Sequence, residues 1–207
     1  MPEFFAQSLE WLKDFSSSPW FYAIIFVIAV LDSVLPIVPS ETLVIIGGVS
    51  AGLGNLWIPL VIVCAATGAF IGDNLSYLLG REASDWVMRR QNRTEKGAKR
   101  MASVVEQVHE RGGLLLITAR FIPGGRTALT LSCGVTRQPR RWFVGWAALA
   151  AVIWGHYAAL LGFIGGKSFE ENHTLAFVIA FVAAFSVTAL IEAVRWVMKR
   201  ARYRQPA

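Results

Sequence analysis

Three stretches of this chain carry no Asp, Glu, Lys or Arg: Thr42 to Gly72, Trp142 to Gly166 and Asn172 to Ile191. A helix needs about 20 apolar residues to cross the hydrocarbon of a bilayer, and each stretch supplies enough. Two other apolar regions, 20–52 and 113–136, are interrupted. Pro36 and Pro39 fall inside Ser33-Val-Leu-Pro-Ile-Val-Pro-Ser-Glu41, and Pro123, Gly124 and Gly125 fall inside Phe121-Ile-Pro-Gly-Gly-Arg126. Proline breaks the helical hydrogen-bond ladder, and the legs on either side of each break are too short to span. Irregular backbone survives at membrane depth only where protein buries it or water lines it. The pattern therefore predicts two re-entrant helical hairpins with their tips at one cavity.

Amphipathic spacing predicts two further helices. Phe4, Phe5, Leu9, Leu12 and Phe15 recur at helical intervals, so residues 1–19 are expected to lie along the interface. Glu3, Glu10 and Asp14 against Lys13 give that segment the wrong sign for a signal peptide. Within the linker 81–112, residues 94–111 mix charges with Met101, Val104, Val105 and Val108, which predicts a charged helix ending at Gly112-Gly113.

Charge orients these elements. Of the 20 Lys and Arg residues, sixteen cluster at Arg81 to Arg111, at Arg137, Arg140 and Arg141, and at Arg195 to Arg204. The positive-inside rule places all three clusters on the cytoplasmic face. The net charge of +6 thereby has a membrane explanation, and nucleic acid is not implied. Crossing segments at 57–80 and 142–166 then run in opposite directions. Trp11, Trp20, Trp57, Trp142 and Trp196 fall at their boundaries and read as interface anchors. Cys64 and Cys133 lie far apart in apolar sequence, which suggests buried thiols rather than a disulfide or a metal site.

An offset of 85 residues relates the halves: Glu41-Thr42 falls over Arg126-Thr127, Trp57 over Trp142, Ala65-Ala66 over Ala150-Ala151 and Gly80 over Gly165. With the topology inverting between halves, this is the pattern of inverted-repeat transporters. The expected fold class is all-α integral membrane. An inverted repeat of re-entrant hairpin plus transmembrane helix spans 20–80 and 113–166. An additional C-terminal transmembrane helix covers 174–198, and a basic cytoplasmic tail 199–207. The 207 residues form a single membrane domain.

Six charges sit inside apolar sequence: Asp32, Glu41, Asp73, Arg120, Arg126 and Glu192. A charge at mid-bilayer costs about 2.5–3.5 kcal/mol on insertion scales, so each needs a partner or a task. Glu192 lies one turn from Arg195 near a helix end and reads as interfacial. Asp32 and Glu41 bracket the first break, and Arg120 and Arg126 the second. A bland reading has these four stitching the hairpins together. The functional reading gives Arg120 and Arg126 to an anionic ligand, because guanidinium offers planar paired donors to phosphate. Asp32, Glu41 and Asp73 would then carry protons, neutralising when the arginines engage the ligand. The offset sets Glu41 against Arg126 as partners of opposite sign. His156, mid-helix, is a candidate relay, although a lone helical His is more often a packing residue.

Pro39-Ser-Glu-Thr, Gly68-Ala-Phe-Ile-Gly-Asp-Asn-Leu-Ser-Tyr-Leu-Leu-Gly-Arg81 and Arg120-Phe-Ile-Pro-Gly-Gly-Arg-Thr127 resemble the DedA family, also called SNARE-associated or VTT-domain membrane proteins. The resemblance implies a lipid-moving role in the bacterial plasma (inner) membrane. For bacterial members that means recycling undecaprenyl phosphate, and for others phospholipid flipping or scrambling. It implies no cofactor or metal, membrane lipids as partners, and a chain compatible with a homodimer. A proton-coupled carrier for small solutes or anions is the alternative. A lipid-phosphate enzyme is disfavoured by the absence of phosphatase and transferase motifs and of a nucleophile constellation. A non-transporting assembly factor would leave the buried charges without a task.

Overall fold

A computed structural model describes residues 18–35, 40–91, 93–121 and 124–168. Every regular element among them is helical. In chain order these are α1 (Trp20–Val34), α2 (Ser40–Gly52), α3 (Ile58–Glu82), α4 (Ser84–Gln91), α5 (Glu95–Thr118), a 3₁₀ turn at Ala119–Phe121, α6 (Gly125–Val135) and α7 (Arg140–Ser168). The expected helix at 1–19, the breaking prolines Pro36, Pro39 and Pro123, Glu192, Trp11 and Trp196, and the segments 174–198 and 199–207 lie outside the described residues.

The expected crossing segments 57–80 and 142–166 are continuous helices, α3 and α7. At 1.5 Å per residue they are about 38 and 44 Å long, against about 30 Å of hydrocarbon. Both are long and apolar enough to cross a membrane, and only 33% and 44% of their most apolar windows are buried. What they expose is hydrophobic: Ile71, Leu75 and Leu79 on α3, and Val152, Leu161 and Ile164 on α7. What they cover includes Asp73, Ser76 and Thr130. That distribution suits lipid rather than water as the surrounding solvent. The apolar helices α1 and α2 have 15 and 13 residues, about 22 and 20 Å, too short to span.

The described chain forms two compact units, one of residues 22–40 and 62–157, the other of 18–21, 41–61 and 158–168. In the second, α2 packs closely on the last turns of α7. A Cβ on Gly48 would run into the Ala159 carbonyl, one on Gly162 into that of Ile45, and one on Gly166 into that of Val49. Small residues four apart on both helices let the backbones touch, the usual solution where lipid removes the hydrophobic drive for helix association.

The first unit holds a buried aromatic cluster and the charged residues Asp32, Asp73, Arg120 and Arg126. Tyr77 stacks on Phe143 with ring centroids 4.5 Å apart, and Val108, Leu116, Cys133 and Ala147 are buried with them. Tyr77 donates its hydroxyl to the Gln138 carbonyl (2.6 Å) and Ser84 donates to that of Val135 (2.6 Å). These bonds tie the turn between α6 and α7 to the end of α3 and the start of α4.

The linker departs from the reading of its sequence. It contains two helices, α4 and α5, and α5 runs through Gly112-Gly113 to Thr118 instead of stopping there. The glycines serve packing: a Cβ on Gly112 would press on the Trp142 ring and one on Gly113 on that of Trp146. Trp142 is thus partly buried against the aromatic cluster, whereas Trp20 and Trp57 are exposed.

Candidate functional site

Ala69, Gly72, Asp73 and Ser76 recur three and four residues apart, which gives α3 one narrow face that is small or polar. The end of α1 lies against this face. Ser33 fills the space a Cβ on Gly72 would need, and its hydroxyl donates to the carbonyls of Ala29 (3.0 Å) and Ala69 (3.3 Å). The last carbonyls of a helix have no partner in their own ladder. That of Ser33 accepts two hydroxyls, from Ser76 (2.8 Å) and from Thr127 in the first turn of α6 (3.0 Å). A single carbonyl thereby links α1, α3 and α6.

That link brings together the residues beside it. Asp32 precedes Ser33, Arg126 precedes Thr127, and Asp73 lies one turn before Ser76 and Tyr77. Arg126 enters from the start of α6, where the chain turns through Gly124 in the left-handed region (φ 67°) that glycine permits. Arg120 enters from the 3₁₀ turn.

The result is a neutral cluster of two guanidinium groups and two carboxylates. Arg120 Nη2 is hydrogen-bonded to Asp73 Oδ2. Arg126 Nη2 donates to Asp32 Oδ2 at 3.0 Å, and its Nε lies 3.5 Å from Asp73 Oδ1. The Ser40 hydroxyl donates to Asp32 Oδ2 as well (2.6 Å). Side-chain exposure falls from 21% at Asp32 to 10% at Arg126, 3% at Asp73 and 2% at Arg120. Asp32–Arg126 is therefore the rim of the cluster and Asp73–Arg120 its floor. The floor is incompletely bonded: Asp73 Oδ1 and Arg120 Nε and Nη1 are buried without a hydrogen-bond partner among the described residues.

Neutral ion-pair clusters also serve as plain structural braces, so similarity to known proteins bears on the reading. A family model described as the VTT domain matches residues 38–164, more than half of the chain. The chain belongs to the VTT-domain family, the DedA family of membrane proteins. It is 29% identical over 169 residues to the inner membrane protein YohD of Escherichia coli (strain K12), covering 81% of this chain and 86% of that one. To the protein DedA of the same organism it is 25% identical over 186 residues, covering 85% and 83%. To the undecaprenyl phosphate transporter A of Staphylococcus aureus it is 27% identical over 192 residues, covering 88% and 94%. No solved structure matches the chain significantly.

Of the charged residues singled out in this VTT-domain sequence, Asp32, Asp73, Arg120 and Arg126 meet in one cluster. Asp32 and Asp73 are carboxylates that lie against Arg126. Glu41 is half-buried in the first turn of α2. His156 is not brought to the cluster. It lies on the exposed side of α7, its Nδ1 2.9 Å from the Val152 carbonyl, whereas Trp154 two residues earlier is buried. Ser33, Ser40, Ser76 and Thr127 escaped the sequence reading. The polar spacing on α3 was the signal for Ser76; for the others the sequence offers only that each adjoins a charge or a break.

Proposed function

We propose that this VTT-domain protein is a membrane transporter that moves an anionic lipid phosphate, undecaprenyl phosphate in the first instance, across the bacterial plasma membrane. One observation carries the reading. The Nε and Nη2 donors of Arg126 form the edge that a single carboxylate or phosphate ordinarily grips with two oxygens. Here that edge is divided between two carboxylates, one at 3.0 Å and one at 3.5 Å. A phosphate could take both donors at once and displace both.

Charge balance adds the proton. The resting cluster is neutral, and an anion added to a poorly solvated site would leave it negative, which is costly where the dielectric is low. One proton taken up by a displaced carboxylate restores neutrality. Asp32 and Asp73 are the carboxylates so displaced, with Glu41 a further candidate acceptor. The lipid tails remain in the bilayer throughout.

Two re-entrant hairpins are the architecture we assign to this chemistry. In support, α1 and α2 are each too short to span, and Glu41 and Arg126 are each the second residue of the helix that follows a break. The similarity to undecaprenyl phosphate transporter A is the reason to name that lipid first. The site offers arginines and carboxylates rather than an activated nucleophile, so translocation is favoured over hydrolysis.

The test is a flux comparison in proteoliposomes of the full chain, with undecaprenyl phosphate, an anionic phospholipid and inorganic phosphate as separate substrates. Saturable movement of undecaprenyl phosphate, at least about tenfold faster than in protein-free vesicles and accompanied by proton uptake, is expected from the donor geometry. Movement of inorganic phosphate alone would replace the lipid reading with a soluble-anion carrier.

A further inference from the structure

Arg120 is held in a way that its ion pair does not explain. Arginine beside a buried carboxylate ordinarily forms a two-bond fork. Here only Nη2 bonds to Asp73, although Asp73 Oδ1 and Arg120 Nε and Nη1 are all buried without a hydrogen-bond partner among the described residues. Buried donors and acceptors left unpaired are costly, so something must keep the guanidinium from rotating into the fork. Two contacts could do so. Arg126 Nε lies 3.5 Å from Asp73 Oδ1 and draws that oxygen away. On the other side the Arg120 guanidinium carbon sits 5.8 Å from the centroid of the Trp154 ring. Trp154 is 4% exposed and presents its electron-rich face to the cation, which compensates part of the lost hydration without using any N–H.

We infer that Trp154 is a positioning residue for the lipid-phosphate site: its indole face holds Arg120 so that Nε and Nη1 stay uncommitted and available to a ligand oxyanion. The inference rests on the transport reading above and deepens it. Trp154 touches no ligand itself. A packing residue of the same size would fill the volume but not attract the guanidinium, so aromatic and non-aromatic replacements should differ. Without the ring, Arg120 is free to close the fork on Asp73, and the ligand must then compete for donors already in use.

The experiment uses the full chain in proteoliposomes with Trp154→Phe, Trp154→Leu and Trp154→Met, two non-aromatic variants guarding against a folding failure in one. Two readouts are taken. The first is KM and maximal rate for movement of undecaprenyl phosphate. The second, made without added lipid phosphate, is the rate at which phenylglyoxal modifies Arg120, followed by peptide mass spectrometry. Leu and Met are expected to raise KM about tenfold with maximal rate within about twofold, and to change the Arg120 modification rate several-fold; Phe should stay within about twofold of wild type on both. Equal behaviour of Phe and Leu, or a fall in maximal rate at constant KM, would overturn the positioning role. So would an unchanged Arg120 modification rate. Wild-type protein that moves no undecaprenyl phosphate would overturn the transport reading instead, and the phenylglyoxal rates would still decide whether Trp154 holds Arg120.

Discussion

Arg126→Gln is expected to slow movement of undecaprenyl phosphate by at least about 100-fold, and Arg126→Lys by about tenfold, in proteoliposomes of equal protein content. The size follows from the bonds at stake. Two charge-assisted hydrogen bonds, each worth about 1.5–3 kcal/mol, form between one guanidinium edge and the phosphate. Glutamine loses the charge and the fork; lysine keeps the charge as a point and loses the fork. The fold should survive both changes. Asp73 retains Arg120, and Asp32 retains the Ser40 hydroxyl and some access to solvent. Measuring flux beside thermal stability separates the two effects. Normal flux in Arg126→Gln would end the assignment of this residue to the ligand.

The second large effect concerns stability. Asp73→Ala leaves the Arg120 guanidinium buried with no carboxylate directly against it, and breaking a buried pair from one side costs about 3–5 kcal/mol. Asp32→Ala removes a partner from the half-open rim and should cost about 1 kcal/mol, as more exposed pairs do. The double variant Asp73→Ala/Arg120→Met removes both buried charges and should recover most of the loss, because apolar replacement of a whole buried pair is often neutral or better. Thermal unfolding in detergent gives all three values. If Asp73→Ala and Asp32→Ala destabilise equally, the distinction between floor and rim is wrong.

These two predictions fall on residues that the sequence exposed to different degrees. Arg120, Arg126 and Asp32 were legible because a charge in an apolar segment is costly, and each lies close to a backbone break. Asp73 was legible as a buried charge but not as the hub that meets both arginines. The repeat offset, which set Glu41 against Arg126, gives position along a helix and not direction around it, and so it gave no hint of Asp73. The spacing of Ala69, Gly72, Asp73 and Ser76 held the missing directional information. Trp154 had no local signal at all, since an apolar helix rich in tryptophan looks alike on every face until its neighbours are placed.

The two long helices were legible for the simplest reason: uncharged runs of that length fit few other structures. The end of α5 was misread for the opposite reason. Gly112-Gly113 resembles a helix stop, but a local preference of about 1 kcal/mol per glycine is outweighed by packing against Trp142 and Trp146, which the local sequence does not display. Ser33 and Thr127 show the same limit: the free carbonyl at the end of α1 could be anticipated from the break, but not the two hydroxyls that satisfy it.

The central claim is that the Asp/Arg cluster holds the phosphate of a lipid. Native mass spectrometry of the purified protein, titrated with undecaprenyl phosphate and with undecaprenol, tests it most directly. Wild-type protein should retain the phosphate lipid at least about tenfold more tightly than the alcohol, and Arg126→Gln should lose most of that preference, as loss of the Arg126 charge-assisted bonds requires. Equal retention of both lipids by the wild type, or an undiminished preference for the phosphate in Arg126→Gln, would contradict the account.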